Sequence, residues 1–214
     1  MILLSLDAIT YFGRRSYGIR IRYLMEPLSR YMVYLENEKY LPEGANSILS
    51  LSRNILEDYK IIIRDVRVAS HFLELDMSIP SSLDLEKIKS KLSQIGTIME
   101  IDSVVEGELD KKVSLELARQ LFNNEKYWKT HEILEGVWKH TQGDERALLN
   151  GIILVAAALV HYQKGEHDIC ISIMKRALDK LHSAYGHYHD IDVDLLKTHV
   201  MNIINSTKIS RFSI

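Results

Sequence analysis

The first half of the chain alternates between hydrophobic patterns of strand period and of helix period. Strand patterns occupy residues 31–36, 61–70, 71–78 and 97–105. Helical spacing occurs between them, at Ile48, Leu51, Ile55 and again at Leu85, Ile88, Leu92. Within 71–78, we expect Leu73 and Leu75 to face a core and Glu74 and Asp76 to face solvent. The order strand, helix, strand, strand, helix, strand predicts a ferredoxin-like (split βαβ) module.

From about residue 107 onward, every segment has helical period. The polar stretch 106–112 is the best candidate boundary, so we predict a module at 1–106 and a helical bundle at 107–214, with residues 1–28 showing no decisive pattern. Asp144 and Asp192 are predicted helix caps, and Ile169 and Leu195 are expected to point inward. Helices are predicted near 115–122, 127–140, 144–164, 168–185 and 192–203. Short connections make these helices an antiparallel bundle, and the fold class is α+β.

Composition and charge exclude some classes of partner and location, but they do not identify a function. The net charge of -2 gives no overall attraction to nucleic acid or to an anionic membrane. Arginines interleaved with tyrosines in 1–28 leave two alternatives, an anion- or RNA-binding surface and a solvated strand face. The apolar run 148–160 is shorter than the ~18 residues of a membrane span, and the start lacks a signal peptide pattern. We therefore expect a cytoplasmic protein, with no membrane or nucleic-acid partner and with Cys170 as a buried thiol.

The polar residues that suggest chemistry lie in the second and third helices of the bundle. His131 and Glu135 share one helix face, and Glu132 points elsewhere. This H-E-x-x-E spacing resembles the H-E-x-x-H zinc motif with a carboxylate in place of the second histidine. Trp138, Arg146, Asn150 and His161 complete the candidate set. No cofactor is predicted, and a divalent metal held by His131 and Glu135 is kept as an alternative.

These residues also occur in an order that resembles a known family. The strings are Leu121-Phe122-Asn123, Tyr127-Trp128, His131-Glu132, Leu134-Glu135, Trp138, Glu145-Arg146, Asn150-Gly151 and His161. Together they resemble the helical family called domain of unknown function 309, over about residues 112–205. The family often has Gln where this chain has Asn150. The resemblance implies an all-α fold for this half and implies no reaction.

Three interpretations of the polar cluster remain open from the sequence. In the first, the helical hairpin places Glu135 opposite Asn150 and near Arg146, so the three form a buried structural network. In the second, His131, Glu132 and Arg146 line a pocket for a small anion or other ligand. In the third, the helix holds a metal. His131 and His161 fall about 10 Å apart along the hairpin axis, too far to share one ion.

The function predicted from these observations is a non-enzymatic interaction module or a small-ligand-binding module. The alternative is a metal-dependent hydrolase centred on His131, Glu132 and Glu135. The expected partner is another protein or a small molecule, with homo-oligomerisation left open.

Overall fold

A computed structural model describes residues 27–104 and 110–214. The first range contains β1 Leu28–Glu36, α1 Ala45–Ile55, β2 Ile62–Val68, β3 Phe72–Pro80, α2 Leu85–Leu92 and β4 Ile98–Ser103. The second contains α3 Lys111–Asn123, α4 Tyr127–Trp138, α5 Gly143–Gln163, α6 His167–Leu181, β5 His187–Tyr188, β6 Ile191–Asp192 and α7 Val193–Ser206. An antiparallel sheet with two helices thus precedes a helical region, which confirms the predicted α+β class. No helix in these two ranges is long and apolar enough to cross a membrane.

The four-stranded sheet has the order β2-β3-β1-β4, and every neighbouring pair is antiparallel. Alternate residues of β1 and β3, such as Val33 and Leu75, point to the face that α1 and α2 cover. Ile48 of α1 and Ile88 of α2 are buried against them. Burial of this apolar face is the main force that holds the helices on the sheet. The predicted core assignment of Leu73 and Leu75 is correct.

The opposite face of the sheet is buried too, and here the prediction from alternation was wrong. Glu74 and Asp76 were expected in solvent, yet they are only 2% and 3% exposed. Strand β3 is therefore covered on both faces along nearly its whole length. Alternation identifies which residues share a face, but it cannot reveal that a second layer covers the polar one.

The helical region buries one continuous apolar core that runs through α3 to α7. Asp110 caps α3 by accepting hydrogen bonds from the amides of Lys112 and Val113. Asp192 caps α7 through the amide of Leu195, as predicted. Helix α5 begins at Gly143 instead, so Asp144 lies in its first turn and does not cap it. Cys170 is fully buried as expected, and burial raises the pKa of its thiol to about 12.

Single positions in the last two helices lie on the other side from the one predicted. Ile169 and Leu195 were expected inside but are 45% and 47% exposed. In α6 the buried stripe is Cys170, Met174, Ala177 and Leu181. Adjacent apolar residues leave the phase of a short helix ambiguous by one position. The hairpin β5–β6 supplies the connection between these helices.

Helices α3–α4 and α5–α6 form two hairpins with the same turn. Glu125 and Gly165 hold equivalent positions, with left-handed φ angles of 60° and 75°. In each turn that residue donates to the carbonyl three positions back, Phe122 O at 2.9 Å and Tyr162 O at 2.8 Å. This is the bonding of a Schellman-type helix end. The helical region is thus a repeated hairpin followed by α7.

Candidate functional site

His131, Glu132 and Glu135 lie together on the partly exposed side of α4. His131 Nδ1 is 3.4 Å from Glu132 Oε1, and its Nε2 is 3.7 Å from Glu135 Oε1. A hydrogen bond from His131 and the charge of Arg30 lower the pKa of Glu132, against the opposing effect of burial. Throughout 27–104 and 110–214, no group of three or more His, Cys, Asp or Glu is placed to hold a metal ion. The three residues form a local chain of polar contacts on one helix.

Trp138 and Arg146 form a separate unit that closes the α4–α5 turn. The Trp138 indole donates to the Arg146 carbonyl at 3.1 Å, and the guanidinium lies over the ring at 3.6 Å. Arg146 Nη1 donates in turn to the carbonyls of Trp138 and Thr141 at 3.1 and 3.0 Å. The Trp138 carbonyl also accepts from the amide and the hydroxyl of Thr141, at 3.1 and 3.0 Å, so Arg146 adds a donor at the end of α4.

The expected network of Glu135, Arg146 and Asn150 was therefore wrong. Arg146 points to the end of α4, and Glu135 turns to His131 with 44% of its side chain exposed. Asn150 lies half-buried in α5. The reason is that backbone acceptors at a helix end compete with a carboxylate one turn away, and they lie closer to the guanidinium.

His161 belongs to a third group at the far end of α5. It bonds to Glu166, whose pKa is lowered by this bond and by Lys164 although burial acts in the opposite direction. Lys164 also pairs with Asp65 of β2 at 3.2 Å. The candidate residues predicted from the sequence are thus divided among three places, and His161 bonds to Glu166, which also pairs with Lys164 at the contact between bundle and sheet.

A layer of charged residues between the sheet and α4 was missed from the sequence. Arg67 and Glu74 form an ion pair with side chains only 3% and 2% exposed. Arg30 donates two hydrogen bonds to Asp76, at 2.9 and 2.6 Å. Trp128 of α4 covers both guanidinium groups, with its ring 4.8 Å from Arg30 and 5.4 Å from Arg67. Buried charges are tolerated when they are paired and hydrogen-bonded in this way.

Lysines of α4 and the turn before it extend this layer toward the edge strand β4. Lys126 pairs with Glu100 at 2.7 Å and lies 4.1 Å from the ring centre of Tyr34. Lys129 pairs with Asp102. The helix that carries the H-E-x-x-E spacing therefore lies on the polar face of the sheet. The sequence indicated this polar face only through the alternating charged residues of β1, β3 and β4. That alternation is the same whether solvent or a helix covers the face.

A cleft of about 440 Å³ opens beside this layer. The β2–β3 turn, the C-terminal half of α3, the α3–α4 turn and Arg211 line this open cleft. Its lining is His71, Phe72, Leu117, Gln120, Leu121, Asn123, Asn124, Glu125, Lys126 and Arg211. Small-molecule sites typically measure about 300–1,000 Å³ and combine an apolar floor with a few polar groups. A second recess, beside Arg119, measures about 30 Å³ and has room for little more than a water molecule.

Glu125 joins the three parts of the wall around this cleft. It accepts a hydrogen bond from the Ser70 amide at 3.0 Å and from Arg211 Nη1 at 3.0 Å, and it also bonds to the Ser70 hydroxyl. Burial raises the pKa of Glu125, but these donors outweigh it and lower the pKa overall. The carboxylate therefore stays charged at neutral pH and holds the sheet turn, the α3–α4 turn and Arg211 together.

Comparisons with known proteins agree with the resemblance noted in the sequence. Residues 115–173 match the model of a family described as "Domain of unknown function (DUF309)". The match spans both turns of the repeated hairpin. No curated protein matches the chain. Among solved structures, the conserved hypothetical protein TTHA0068 from Thermus thermophilus is 27% identical over 42% of this chain and 95% of its own, with a TM-score of 0.39. These descriptions state no activity.

Proposed function

We propose that this protein is a non-enzymatic binding module and that its small-molecule ligand carries an acidic group and an apolar part. The observation that carries the proposal is the cleft between the β2–β3 turn and α3. Its volume falls within the usual range of ligand sites. Its lining offers the side-chain amides of Gln120 and Asn124, and cations at Lys126 and Arg211. Phe72 is among its apolar lining residues.

The chemistry of the lining supports binding rather than turnover. Hydrogen bonds from Ser70 and Arg211 hold the Glu125 carboxylate in place, so it is not oriented to transfer a proton to a ligand. Lys126 pairs with Glu100, and Arg211 retains a 62% exposed side chain. A carboxylate or phosphate of the ligand would find Arg211 nitrogens beyond the one that Glu125 occupies.

The alternative is a metal-dependent hydrolase centred on His131, Glu132 and Glu135. This alternative is supported by the helical spacing of His131 and Glu135, which would be the metal ligands, and by the carboxylate of Glu132 beside them. A catalytic zinc site ordinarily needs three protein ligands. No third ligand accompanies them in the described residues. We therefore rank this alternative second and test it in the same experiment.

The test is a titration of the ¹⁵N-labelled protein, monitored by NMR, with sodium benzoate and separately with zinc chloride. Benzoate combines a carboxylate with a flat apolar ring. We expect saturable shifts of the Gln120 and Asn124 side-chain amide signals, with Asn202 unmoved. Gln120→Glu should weaken the binding several-fold by charge repulsion, and the charge-matched Gln142→Glu in the exposed α4–α5 turn should not.

Two results would count against the binding module. One is an absence of saturable shifts at the cleft. The other is stoichiometric zinc binding that shifts His131 and raises the melting temperature, since this would move the weight to the hydrolase alternative.

We further propose the finer assignments that accompany this function. The element and sheet order support a ferredoxin-like N-terminal module. The two separate apolar cores support a division into residues 1–106 and 107–214. The charge balance supports a cytoplasmic location without nucleic-acid partners. Sheets that bind RNA stack its bases on an open sheet face. Here helix α4 covers the polar face of the sheet, which supports the expectation of no nucleic-acid partner.

A further inference from the structure

The segment that follows α7 packs against the bundle. Helix α7 ends at Ser206, and Thr207 turns the chain with a left-handed φ of 56°. Residues 208–214 have no regular secondary structure. Ile209, Phe212 and Ile214 are half-buried and pack against the bundle core. We call residues 207–214 the tail segment.

Phe212 joins the first and last helices of the bundle. Its ring centre is 5.5 Å from that of Phe122 in α3 and 4.7 Å from that of His199 in α7. The Phe212 and His199 rings are stacked, with an angle of 12° between them. An aromatic side chain is therefore held between two ring surfaces that belong to separate helices. Such aromatic anchors contribute strongly to peptide binding.

Asn123 recognises the backbone of the tail segment rather than a side chain. Its Nδ2 donates to the Ile214 carbonyl at 3.3 Å, and its Oδ1 accepts from the Ile214 amide at 2.9 Å. A side-chain amide that pairs with both backbone groups of one residue can hold any extended peptide. Arg211 adds the contact to Glu125 and Ser70. We call Phe122, Asn123, Glu125 and His199 the docking face.

We infer that the docking face binds an extended peptide of a partner protein, and that the tail segment occupies this face in its absence. The preferred peptide carries a basic residue, an aromatic residue and an aliphatic residue in the order of Arg211, Phe212 and Ile214. Extended peptides that combine backbone pairing with side-chain pockets are a recurrent recognition mode. The repeated hairpin provides the rigid support that such a surface needs.

The tail segment has the features of a displaceable occupant. Its apolar residues are only half-buried, and Arg211 is 62% exposed in its side chain. The contacts of Arg211 with Ser70 and Glu125 lie at the surface, and Phe212 is the side chain that reaches the buried Phe122. Segments with few buried contacts open at low free-energy cost. Opening at Thr207 would release the segment while α7 keeps its place.

The inference rests on the proposed binding role, which it extends from small ligands to peptides. The docking face shares Asn123 and Glu125 with the lining of the benzoate cleft, and Phe122 and His199 lie outside that lining. The two are tested with different probes on the same full-length protein. Benzoate shifts without peptide binding would overturn only the peptide inference, and the reverse result would overturn only the small-ligand proposal.

The experiment measures fluorescence anisotropy of a labelled peptide with the sequence 207–214, added to the full-length chain. In the wild type, the tethered tail segment competes at an effective concentration on the order of millimolar. Phe212→Ala weakens this competitor, so we expect the peptide to bind at least about tenfold more tightly than to the wild type. The matched control Ser213→Ala, at an exposed position, should behave as the wild type. Adding His199→Ala to Phe212→Ala should remove the gain.

A second measurement uses only the wild-type chain, in case Phe212→Ala impairs folding. Saturating unlabelled peptide should accelerate hydrogen exchange at the Ile214 amide, because displacement frees it from Asn123. Equal peptide affinity for all variants together with unchanged exchange would overturn the inference. A concentration-dependent dimer of the wild type that Phe212→Ala abolishes would also overturn it, since the occupant would then be a second copy of the chain.

Discussion

At the scale of single residues, the least exposed charges in the described chain are Arg67 and Glu74. They face each other across the pair β2–β3, and Trp128 lies above the guanidinium. The low dielectric between sheet and helix strengthens their attraction, and it equally penalises either charge if left alone. The pair therefore adds little net stability, but removing only one of its two charges is strongly destabilising.

Glu74→Met should destabilise the protein by about 3 kcal/mol, because it removes the buried partner of the Arg67 guanidinium and leaves only the more exposed Asp65, at 3.5 Å. The double change Arg67→Met with Glu74→Met should recover much of that loss, since both charges are then removed. Urea unfolding of the three proteins, followed by circular dichroism, provides the measurement. A double variant no more stable than Glu74→Met would mean that the pair is not coupled as the geometry indicates.

At the scale of elements, α4 has contacts on two sides and at its C-terminal end. Tyr127, Thr130, Leu134 and Val137 are buried in the bundle. Trp128 lies over the charged face of the sheet. His131 and Glu135 remain partly exposed between these two sides. Its C-terminal end is held by Arg146 of α5, so a single residue links the end of one helix to the first turns of the next.

Arg146→Ala should lower the free energy of unfolding by about 1–2 kcal/mol, because the Thr141 carbonyl loses the Arg146 donor and the Trp138 ring loses the guanidinium stacked on it. Glu135→Ala should change it by less than about 0.5 kcal/mol, as is usual for exposed sites. Chemical denaturation of both variants decides between this view and the buried pair expected from the sequence. Comparable losses for the two variants would restore a direct role for Glu135 in holding Arg146.

At the scale of the whole molecule, two apolar cores are separated by one polar layer. The sheet with α1 and α2 encloses one core, and α3 to α7 enclose the other. Ion pairs such as Lys129–Asp102 and Lys164–Asp65 join the two across the layer. Gly165 approaches the backbone closely, since a Cβ there would lie 2.7 Å from the Pro42 carbonyl oxygen. Two cores joined in this way are consistent with two folding units that stabilise each other.

We expect residues 107–214, expressed alone, to be helical and to melt cooperatively, but at a lower temperature than the full chain. The fragment keeps its own core and loses the cover that the sheet gives to Trp128. Thermal melts monitored by circular dichroism compare the fragment with the full-length protein. A fragment without helical signal would contradict the proposed division at residue 106, and an unchanged melting temperature would mean that the polar layer contributes little.

The order of the α-helices and of the four strands in the first half, the α+β class and the resemblance of the second half to a known family were determined by the sequence alone. Periodicity identifies helices and strands because each residue's exposure depends on its position around its own element. The caps Asp110 and Asp192 act on amides within three residues, so they too are encoded locally. Features of this kind need no knowledge of distant partners.

The tertiary structure alone decided which surfaces the polar residues face. Glu74 became buried because α4 covers it, and Arg146 became bound to Trp138 because the end of α4 lies nearer than Glu135. Phe212 found its place only because α3 and α7 lie on either side of it. A charged or aromatic residue has the same local pattern whether solvent, a helix or a tail segment covers it. Its partner depends on contacts between residues far apart in the chain, and the hydrophobic pattern does not record those contacts.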